Sequence, residues 1–165
     1  MPTLLIMCGI PGSGKSTWTR NFANQTFGNT AIISRDNIRF SLLEEGEDYF
    51  SHESEVTKLF YQQIQEAIDN EYTYVIADAT HNTYKARAYL LDHLNVKNVN
   101  IIPVFFPVSL EQCKVQNAQR SGRARVPDEV IENMAKTQQE PHMNEKYRYH
   151  DIWTVRPLEG EERYE

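Results

Sequence analysis

The sequence of 165 residues is poor in cysteine, in long apolar runs and in flexible linkers. Its two cysteines, Cys8 and Cys113, have no paired spacing, which excludes a disulfide framework and a cysteine-based zinc site. No stretch approaches the roughly 20 apolar residues that a membrane span needs. Residues 1–8 have no basic segment before their short apolar run, which is typical of a strand rather than a signal peptide. We therefore expect a cytoplasmic protein with no membrane contact.

Positive charge is also scarce, because 17 Lys and Arg face 23 Asp and Glu, a formal net charge of −6. This balance argues against a general basic coat for nucleic acid, but it leaves room for a local basic cleft. Residues 44–55 carry six carboxylates and no Lys or Arg. Residues 8–39 and 110–126 each carry four Lys or Arg against one Asp or Glu. The positive charge is therefore concentrated in two segments.

Short apolar runs alternate with helical patterns along the chain. Strands buried on both faces are predicted where the runs are continuous, at residues 4–8, 31–34, 74–77 and 100–106, with a weaker run at 152–155. Helices are predicted between them, over residues 15–24, 53–70, 83–94, 109–118 and 127–140. This alternation predicts an α/β fold, with a parallel sheet of about five strands flanked by helices, in a single domain over residues 1–165. Ligands of such sheets bind at the carboxyl ends of the strands.

A glycine-rich motif follows the first predicted strand. Residues 9–17 read GIPGSGKST and match G-x-x-x-x-G-K-[ST] between a strand and a helix. The backbone N–H groups of such a loop surround phosphate oxygens, its lysine reaches the β- and γ-phosphates, and its hydroxyl binds Mg²⁺. A dinucleotide-binding turn fits less well, because the last position of its G-x-G-x-x-G pattern is a threonine here. The candidate nucleotide-binding residues are Gly12, Ser13, Gly14, Lys15, Ser16 and Thr17.

An acidic residue follows each of the next two predicted strands. Asp36 comes after the second strand and precedes Arg39 by three residues, which places both side chains on one helix face. Asp36 is a candidate general base and Arg39 a candidate cation for substrate charge, whereas helix capping is the alternative for Asp36. Asp78 ends the third strand at a Walker B position, where it would hold Mg²⁺ together with Ser16. A turn-forming aspartate is the alternative for Asp78.

Three arginines cluster in the second basic segment. Arg120, Arg123 and Arg125 lie on a glycine-containing loop after the fourth predicted strand. Arginine binds phosphate through two parallel hydrogen bonds, and a mobile loop can bring it to the nucleotide on closure. We therefore predict a short arginine-bearing lid over about residues 110–140, with a solvated basic turn as the alternative.

Together these motifs resemble the 5′-kinase module of bacteriophage-type polynucleotide kinase, over residues 3–140. The resemblance implies a P-loop kinase fold with ATP and Mg²⁺ as cofactors. It implies that Asp36 activates a 5′-hydroxyl, that Arg39 contacts the phosphate 3′ of the acceptor nucleotide, and that Asp78 is the acidic residue after the third strand. Arg120 aligns best with the lid arginine that contacts the ATP phosphates, and Arg123 is the alternative. The D-x-D-G-T signature of the phage enzyme's phosphatase domain is absent.

The resemblance predicts an ATP-dependent kinase that phosphorylates the 5′-hydroxyl end of DNA or RNA. A kinase for a nucleoside, a small metabolite or a hydroxymethylated base in DNA is the first alternative. A nucleotide-hydrolysing switch is the second, although the guanine-specifying N-K-x-D motif is absent. No obligate protein partner is evident from the sequence, and an oligomer is compatible with it.

Overall fold

Five parallel strands form one sheet in the computed structural model, which describes residues 1–120, 122 and 125–156. The strands are β1 Thr3–Cys8, β2 Thr30–Ser34, β3 Tyr74–Asp78, β4 Asn100–Phe105 and β5 Trp153–Thr154. Their order across the sheet is β2-β3-β1-β4-β5, and each neighbouring pair is parallel. All five predicted strands are confirmed, although β5 is shorter than predicted and pairs only with the end of β4.

Helices connect the strands and lie on both faces of the sheet. They are α1 Lys15–Gln25, α2 Arg35–Leu42, α3 Glu53–Asp69, α4 Tyr84–Asp92, α5 Leu110–Ala118 and α6 Asp128–Thr137. α2 begins where Asp36 and Arg39 are predicted to share a helix face, but its eight residues are too few to show a helical period, so its extent was not predicted. In the part of the chain that the structure describes, no helix is both long and apolar enough to cross a membrane.

The position of β1 at the centre of the sheet explains why its sequence is apolar without alternation. Leu4 and Ile6 face one side of the sheet and pack in a cluster with residues of α3 and α4. Leu5 and Met7 face the other side and pack in a cluster that includes Trp18 of α1. Because helices cover both faces, residues 4–8 of the strand are all buried and none of them needs to be polar.

The carboxyl ends of β2, β3 and β1 lie side by side at one edge of the sheet. Ser34, the last residue of β2, pairs in register with Asp78, the last residue of β3. β1 lies on the other side of β3 and leads into the loop of residues 9–14. The connection that leaves the carboxyl end of β1 leads to β2 on one side, whereas the connection that leaves β3 leads to β4 on the other side. This is the topological switch point, where ligands of open α/β sheets bind.

Candidate active site

The loop between β1 and α1 has a backbone that is suited to an anion. Gly12 and Gly14 adopt the left-handed conformation with φ of 85° and 92°, which residues with a side chain rarely adopt. Because Gly14 stands at the N-cap of α1 and has no side chain, the first N–H groups of this helix remain available to a ligand. The Ser13 hydroxyl is buried and has no hydrogen-bond partner in the described part of the chain. The loop therefore fits a phosphate chain.

Gly12 also lies against α5, the first helix of the predicted lid. A Cβ atom at this position would come within 2.3 Å of the Cys113 carbonyl oxygen, which belongs to the backbone of α5. The apolar side chains beside this contact, Ile10, Cys113 and Ile131, form a small buried cluster that includes α6. The phosphate loop is therefore packed directly on the two helices that carry the arginine loop.

Lys15 holds its ammonium group over the mouth of the loop. The Nζ atom donates hydrogen bonds to the carbonyl oxygens of Gly9 at 2.7 Å and of Ile10 at 3.1 Å. Burial lowers the pKa of Lys15, and the negative charge of Asp78 partly opposes this shift. A cation that is poorly hydrated interacts strongly with any anion that reaches it. Lys15 is therefore placed to bind phosphate oxygens, as the motif predicts.

Asp78 and Ser16 are the residues that could hold a divalent cation. Burial raises the pKa of the Asp78 carboxyl, the charge of Lys15 opposes the rise, and the charge of Asp36 adds to it. Ser16 is exposed in the first turn of α1. No group of three or more His, Cys, Asp and Glu side chains that could hold a metal occurs among residues 1–120, 122 and 125–156. This donor set fits Mg²⁺, which binds few protein ligands and takes the rest from phosphates and water.

Asp36 lies in the first turn of α2 with its carboxylate at the surface. Its side chain is 55% exposed, and Oδ1 accepts hydrogen bonds from Arg39 and from the Tyr49 hydroxyl, the latter at 3.0 Å. The alternative that Asp36 caps the helix is wrong, because Ser34 is the N-cap and its Oγ accepts from the backbone of Asn37. Its carboxylate is therefore not used in a cap.

Arg39 is far less accessible than a surface cation would be. Its residue exposure is 5%, and its Nε and Nη2 atoms donate to the two carboxylate oxygens of Glu53 at 2.8 and 2.7 Å. Its Nη1 atom donates to Asp36 and, at 2.8 Å, to Tyr49. The bidentate pair with Glu53 fixes the plane of the guanidinium. The predicted proximity of Arg39 and Asp36 is confirmed, and Arg39 holds the carboxylate of Asp36 in place.

Sequence reasoning missed Glu53 and Tyr49. Both lie in the acidic segment of residues 44–55, which is noted above only for its charge. Tyr49 precedes α3 and Glu53 is the first residue of α3, 14 residues after its partner Arg39. No local pattern links residues at that separation, because the contact depends on how α3 packs against α2.

The segment predicted to be a lid contains the helices α5 and α6 on either side of the arginine-bearing loop, and its role as a lid stays a prediction. The Asn117 side chain closes the base of this loop, since it donates to the Val126 carbonyl at 2.6 Å and accepts from its N–H at 2.9 Å. Arg120 lies just beyond α5, and its charge lowers the pKa of both Lys15 and Asp78, so it is within electrostatic reach of the site. Arg123 lies outside the described residues.

The side chain of Thr17, unlike those of its neighbours in the motif, contacts a residue further along α1. Its hydroxyl accepts a hydrogen bond from Nη2 of Arg20, one turn further along α1, at 3.3 Å. The structure therefore brings together the phosphate loop, Asp78, Asp36 and Arg120, and it places Thr17 at the start of α1 beside them.

Comparison with known proteins agrees with a kinase-type site. The sequence model of a family described as AAA domain matches residues 4–141. The L-seryl-tRNA(Sec) kinase of Methanococcus maripaludis is 26% identical over 139 residues, which are 79% of this chain and 50% of that protein. The chain thus spans about half the length of this curated relative.

Solved structures agree with the predicted fold class. A chain in the structure of the Pnkp1/Rnl/Hen1 RNA repair complex superposes with a TM-score of 0.70 at 24% identity, covering 82% of this chain and 43% of that one. A sugar kinase from Janibacter sp. superposes with a TM-score of 0.62 at 14% identity, covering 94% and 86%. At such low identities these matches establish the fold alone, which is that of P-loop kinases.

Proposed function

This chain belongs to the AAA domain family and is a P-loop kinase-type phosphotransferase, and we propose that it transfers the γ-phosphate of ATP to the 5′-hydroxyl end of DNA or RNA. The observation that carries the proposal is the carboxylate of Asp36. It is exposed at the carboxyl edge of the sheet and held by Arg39 and Tyr49, and its charge acts on Lys15. A hydrolase that lacks an acceptor has no need for such a carboxylate opposite its phosphate loop.

The transfer step follows from these positions. Asp36 accepts the proton of the acceptor hydroxyl, whose oxygen forms a bond to the γ-phosphorus. The bond from the γ-phosphorus to the bridging oxygen of the β-phosphate breaks, and ADP leaves with that electron pair. Lys15 and the N–H groups of the loop stabilise the charge on the β- and γ-phosphates. Ser16 and Asp78 would hold Mg²⁺, which would supply further charge neutralisation for the phosphates.

The arginines take complementary roles in this proposal. Arg39 orients Asp36 and places a positive charge beside the acceptor, where the phosphate 3′ of the terminal nucleotide lies. Arg120 contacts the phosphoryl group in transfer, a role that is supported by the effect of its charge on Lys15 and Asp78. Arg123 is assigned to nucleotide binding from the sequence alone. Most of the rate enhancement then comes from positioning and electrostatics, as in other phosphoryl transfers.

A panel of acceptors tests the proposal. Labelled ATP and Mg²⁺ are supplied with 5′-hydroxyl DNA and RNA oligonucleotides, nucleosides and sugars, and transfer is measured for each. We expect transfer to the oligonucleotides. Asp36→Asn should reduce kcat by about 10²–10⁴-fold, the usual contribution of a general base, while ATP binding is retained. Asp69→Asn, an exposed carboxylate at the end of α3, is the control and should have full activity. Full activity of Asp36→Asn would refute the assignment of the base.

A second candidate acceptor is the serine hydroxyl of an aminoacylated RNA. The observation in its favour is the 26% identity to an L-seryl-tRNA(Sec) kinase over 139 residues. The same panel includes seryl-tRNA as a substrate. Transfer to seryl-tRNA or to a free nucleoside, with none to a 5′-hydroxyl oligonucleotide, would replace the first proposal.

A further inference from the structure

A pocket of about 420 Å³ lies at the carboxyl edge of the sheet, beside the proposed catalytic carboxylates. Its volume lies within the range of about 300–1,000 Å³ that is usual for small-ligand sites. One wall contains Arg35 and Thr80, and the opposite walls contain residues of α3 and α4. Arg35 directly precedes Asp36, and Thr80 follows Asp78 by two residues. The pocket therefore begins where the phosphoryl transfer would take place.

The pocket wall is tied to the phosphate loop. The Gly9 N–H donates a hydrogen bond to the Thr80 carbonyl at 3.0 Å, which connects the start of the loop to the chain after β3. The Arg35 guanidinium is held by a hydrogen bond from Nη2 to the Thr57 hydroxyl at 2.7 Å and by a longer contact with Glu53 at 3.4 Å. A ligand in this pocket would thus have a fixed position relative to the nucleotide.

The charge of the pocket selects for an anion. Two cationic side chains, Arg35 and Lys85, line it, and no described lining residue is Asp or Glu. Lys85 is exposed, and it makes no hydrogen bond or ion pair with any residue that the structure describes. The buried His81 adds no charge, because burial lowers its pKa to about 4. The charge of Arg35 is shared with Glu53, which lies outside the lining, whereas Lys85 has no such partner among the described residues, so the lining is better suited to a phosphate than to a neutral sugar.

Aromatic rings form the far wall of the pocket. Tyr61 of α3 and Tyr89 of α4 both line it, and the Tyr89 residue is 52% exposed. His93 supports both rings from behind, with its centroid 5.0 Å from Tyr61 and 4.4 Å from Tyr89. Rings that are already held in place stack on a flat partner with little loss of conformational entropy. Successive bases of single-stranded nucleic acid stack on aromatic side chains in this way, beside cations that bind the backbone.

We propose that this pocket binds the nucleotide that follows the 5′-terminal nucleotide of a single-stranded acceptor. Its base stacks on Tyr89. Arg35, which contacts the same Glu53 carboxylate as Arg39, binds the phosphate that joins this nucleotide to the terminal one, and Lys85 binds the phosphate that follows it. The inference rests on the proposed function. The terminal nucleoside presents its hydroxyl to Asp36 and has no 5′ charge, so the phosphate after it is the first that this pocket can bind.

Acceptors of increasing length test this subsite. The kcat/KM for transfer is compared for a nucleoside 3′-phosphate, a dinucleotide and a hexanucleotide, each with a free 5′-hydroxyl. Tyr89→Ala should lower kcat/KM about tenfold or more for the two longer acceptors, the usual effect of losing one base stack, and should leave the nucleoside 3′-phosphate unchanged. Tyr89→Phe keeps the ring and should restore the activity. Tyr84→Ala removes an exposed tyrosine of the same helix outside the pocket and is the control.

The cation is tested separately by salt dependence. Lys85→Gln should reduce the slope of log kcat/KM against log salt by about 0.7 for the hexanucleotide, which corresponds to one phosphate contact on a single strand. Lys97→Gln, an exposed lysine before the amino end of β4, is the control and should leave the slope unchanged. An unchanged slope for Lys85→Gln would contradict a phosphate contact.

The failure of the subsite and the failure of the proposed function give different results. If Tyr89→Ala does not change transfer to the hexanucleotide, the subsite is overturned and the kinase proposal stays intact. The same holds if Tyr89→Ala lowers kcat/KM for the nucleoside 3′-phosphate by the same factor as for the hexanucleotide. Absence of transfer to every oligonucleotide overturns the proposed function. Equilibrium binding of a labelled hexanucleotide in the presence of ADP then decides the subsite: Tyr89-dependent binding supports it, and binding unaffected by Tyr89→Ala overturns it.

Discussion

Replacing Gly12 with alanine tests the direct packing of the phosphate loop on α5, the first helix of the predicted lid. The residue has a φ of 85°, and an added Cβ atom would lie 2.3 Å from the Cys113 carbonyl oxygen, whereas ordinary contact begins at 3.4 Å. The atom in the way belongs to backbone, so no side chain can turn aside. The loop and α5 must therefore separate by about 1 Å.

The magnitude of the effect has two parts. An alanine in the left-handed conformation costs roughly 1–2 kcal/mol, and overpacking of a well-packed contact costs roughly 1–3 kcal/mol more. Gly12→Ala should therefore lower the free energy of unfolding by about 2–5 kcal/mol. For a chain of this length the melting temperature should fall by roughly 5–15 °C. Nucleotide binding should weaken as well, because the N–H groups of the loop are displaced from the phosphates.

Gly46→Ala is a matched control. Gly46 has nearly the same backbone conformation, with a φ of 84°, but nothing lies within 4 Å of an added Cβ atom. This variant should show only the backbone cost of roughly 1–2 kcal/mol and unchanged nucleotide binding. Urea denaturation and titration with a fluorescent ATP analogue measure both effects. Equal destabilisation by the two substitutions, or unchanged nucleotide binding by Gly12→Ala, would refute the reasoning.

Two further predictions concern buried charge. Asp78→Asn should abolish transfer yet leave the free energy of unfolding at pH 7 equal or higher, because burial raises the pKa of this carboxyl and the folded state disfavours its ionised form. The difference should shrink as pH falls toward the unfolded pKa of about 4, and a less stable variant at pH 7 would contradict it. Glu145→Gln should cost about 3–5 kcal/mol, because it leaves the fully buried Arg87 without its carboxylate. Asp92→Asn breaks the exposed pair with Lys146 and should destabilise the protein far less than Glu145→Gln; equal losses in urea denaturation would refute the contrast.

Local features of the molecule could be predicted because their causes are local. The glycines of residues 9–14 allow the tight turns of the loop whatever surrounds it. The continuous apolar runs can be buried completely only in strands that are covered on both faces. The N-cap of α5 is similar, since Ser109 accepts a hydrogen bond from the backbone of Gln112, three residues along the chain. The extent of the short helix α2 was not predicted, because its eight residues give too little period, although Ser34 supplies an N-cap signal at its start.

The structure changes the interpretation of Arg39 in particular. Its spacing from Asp36 correctly predicted that the two side chains meet, because residues three apart share a helix face. The same spacing gives no information about Glu53, whose two carboxylate oxygens bind one edge of the guanidinium from another helix and leave Arg39 buried. Arg39, predicted as a cation for the substrate, therefore also holds the carboxylate of Asp36 in place.

The sequence by itself determined the α/β fold, the phosphate loop and the chemical types of the site residues, because each of these depends on hydrogen bonds and apolar contacts between residues near in the chain. Only the tertiary structure decided the strand order β2-β3-β1, which brings Asp36 and Asp78 to the same edge as Lys15. It also decided the pocket between α3 and α4, whose cations and aromatic rings come from three separate segments. These depend on contacts across the sheet and between helices, for which the linear order of residues gives no signal.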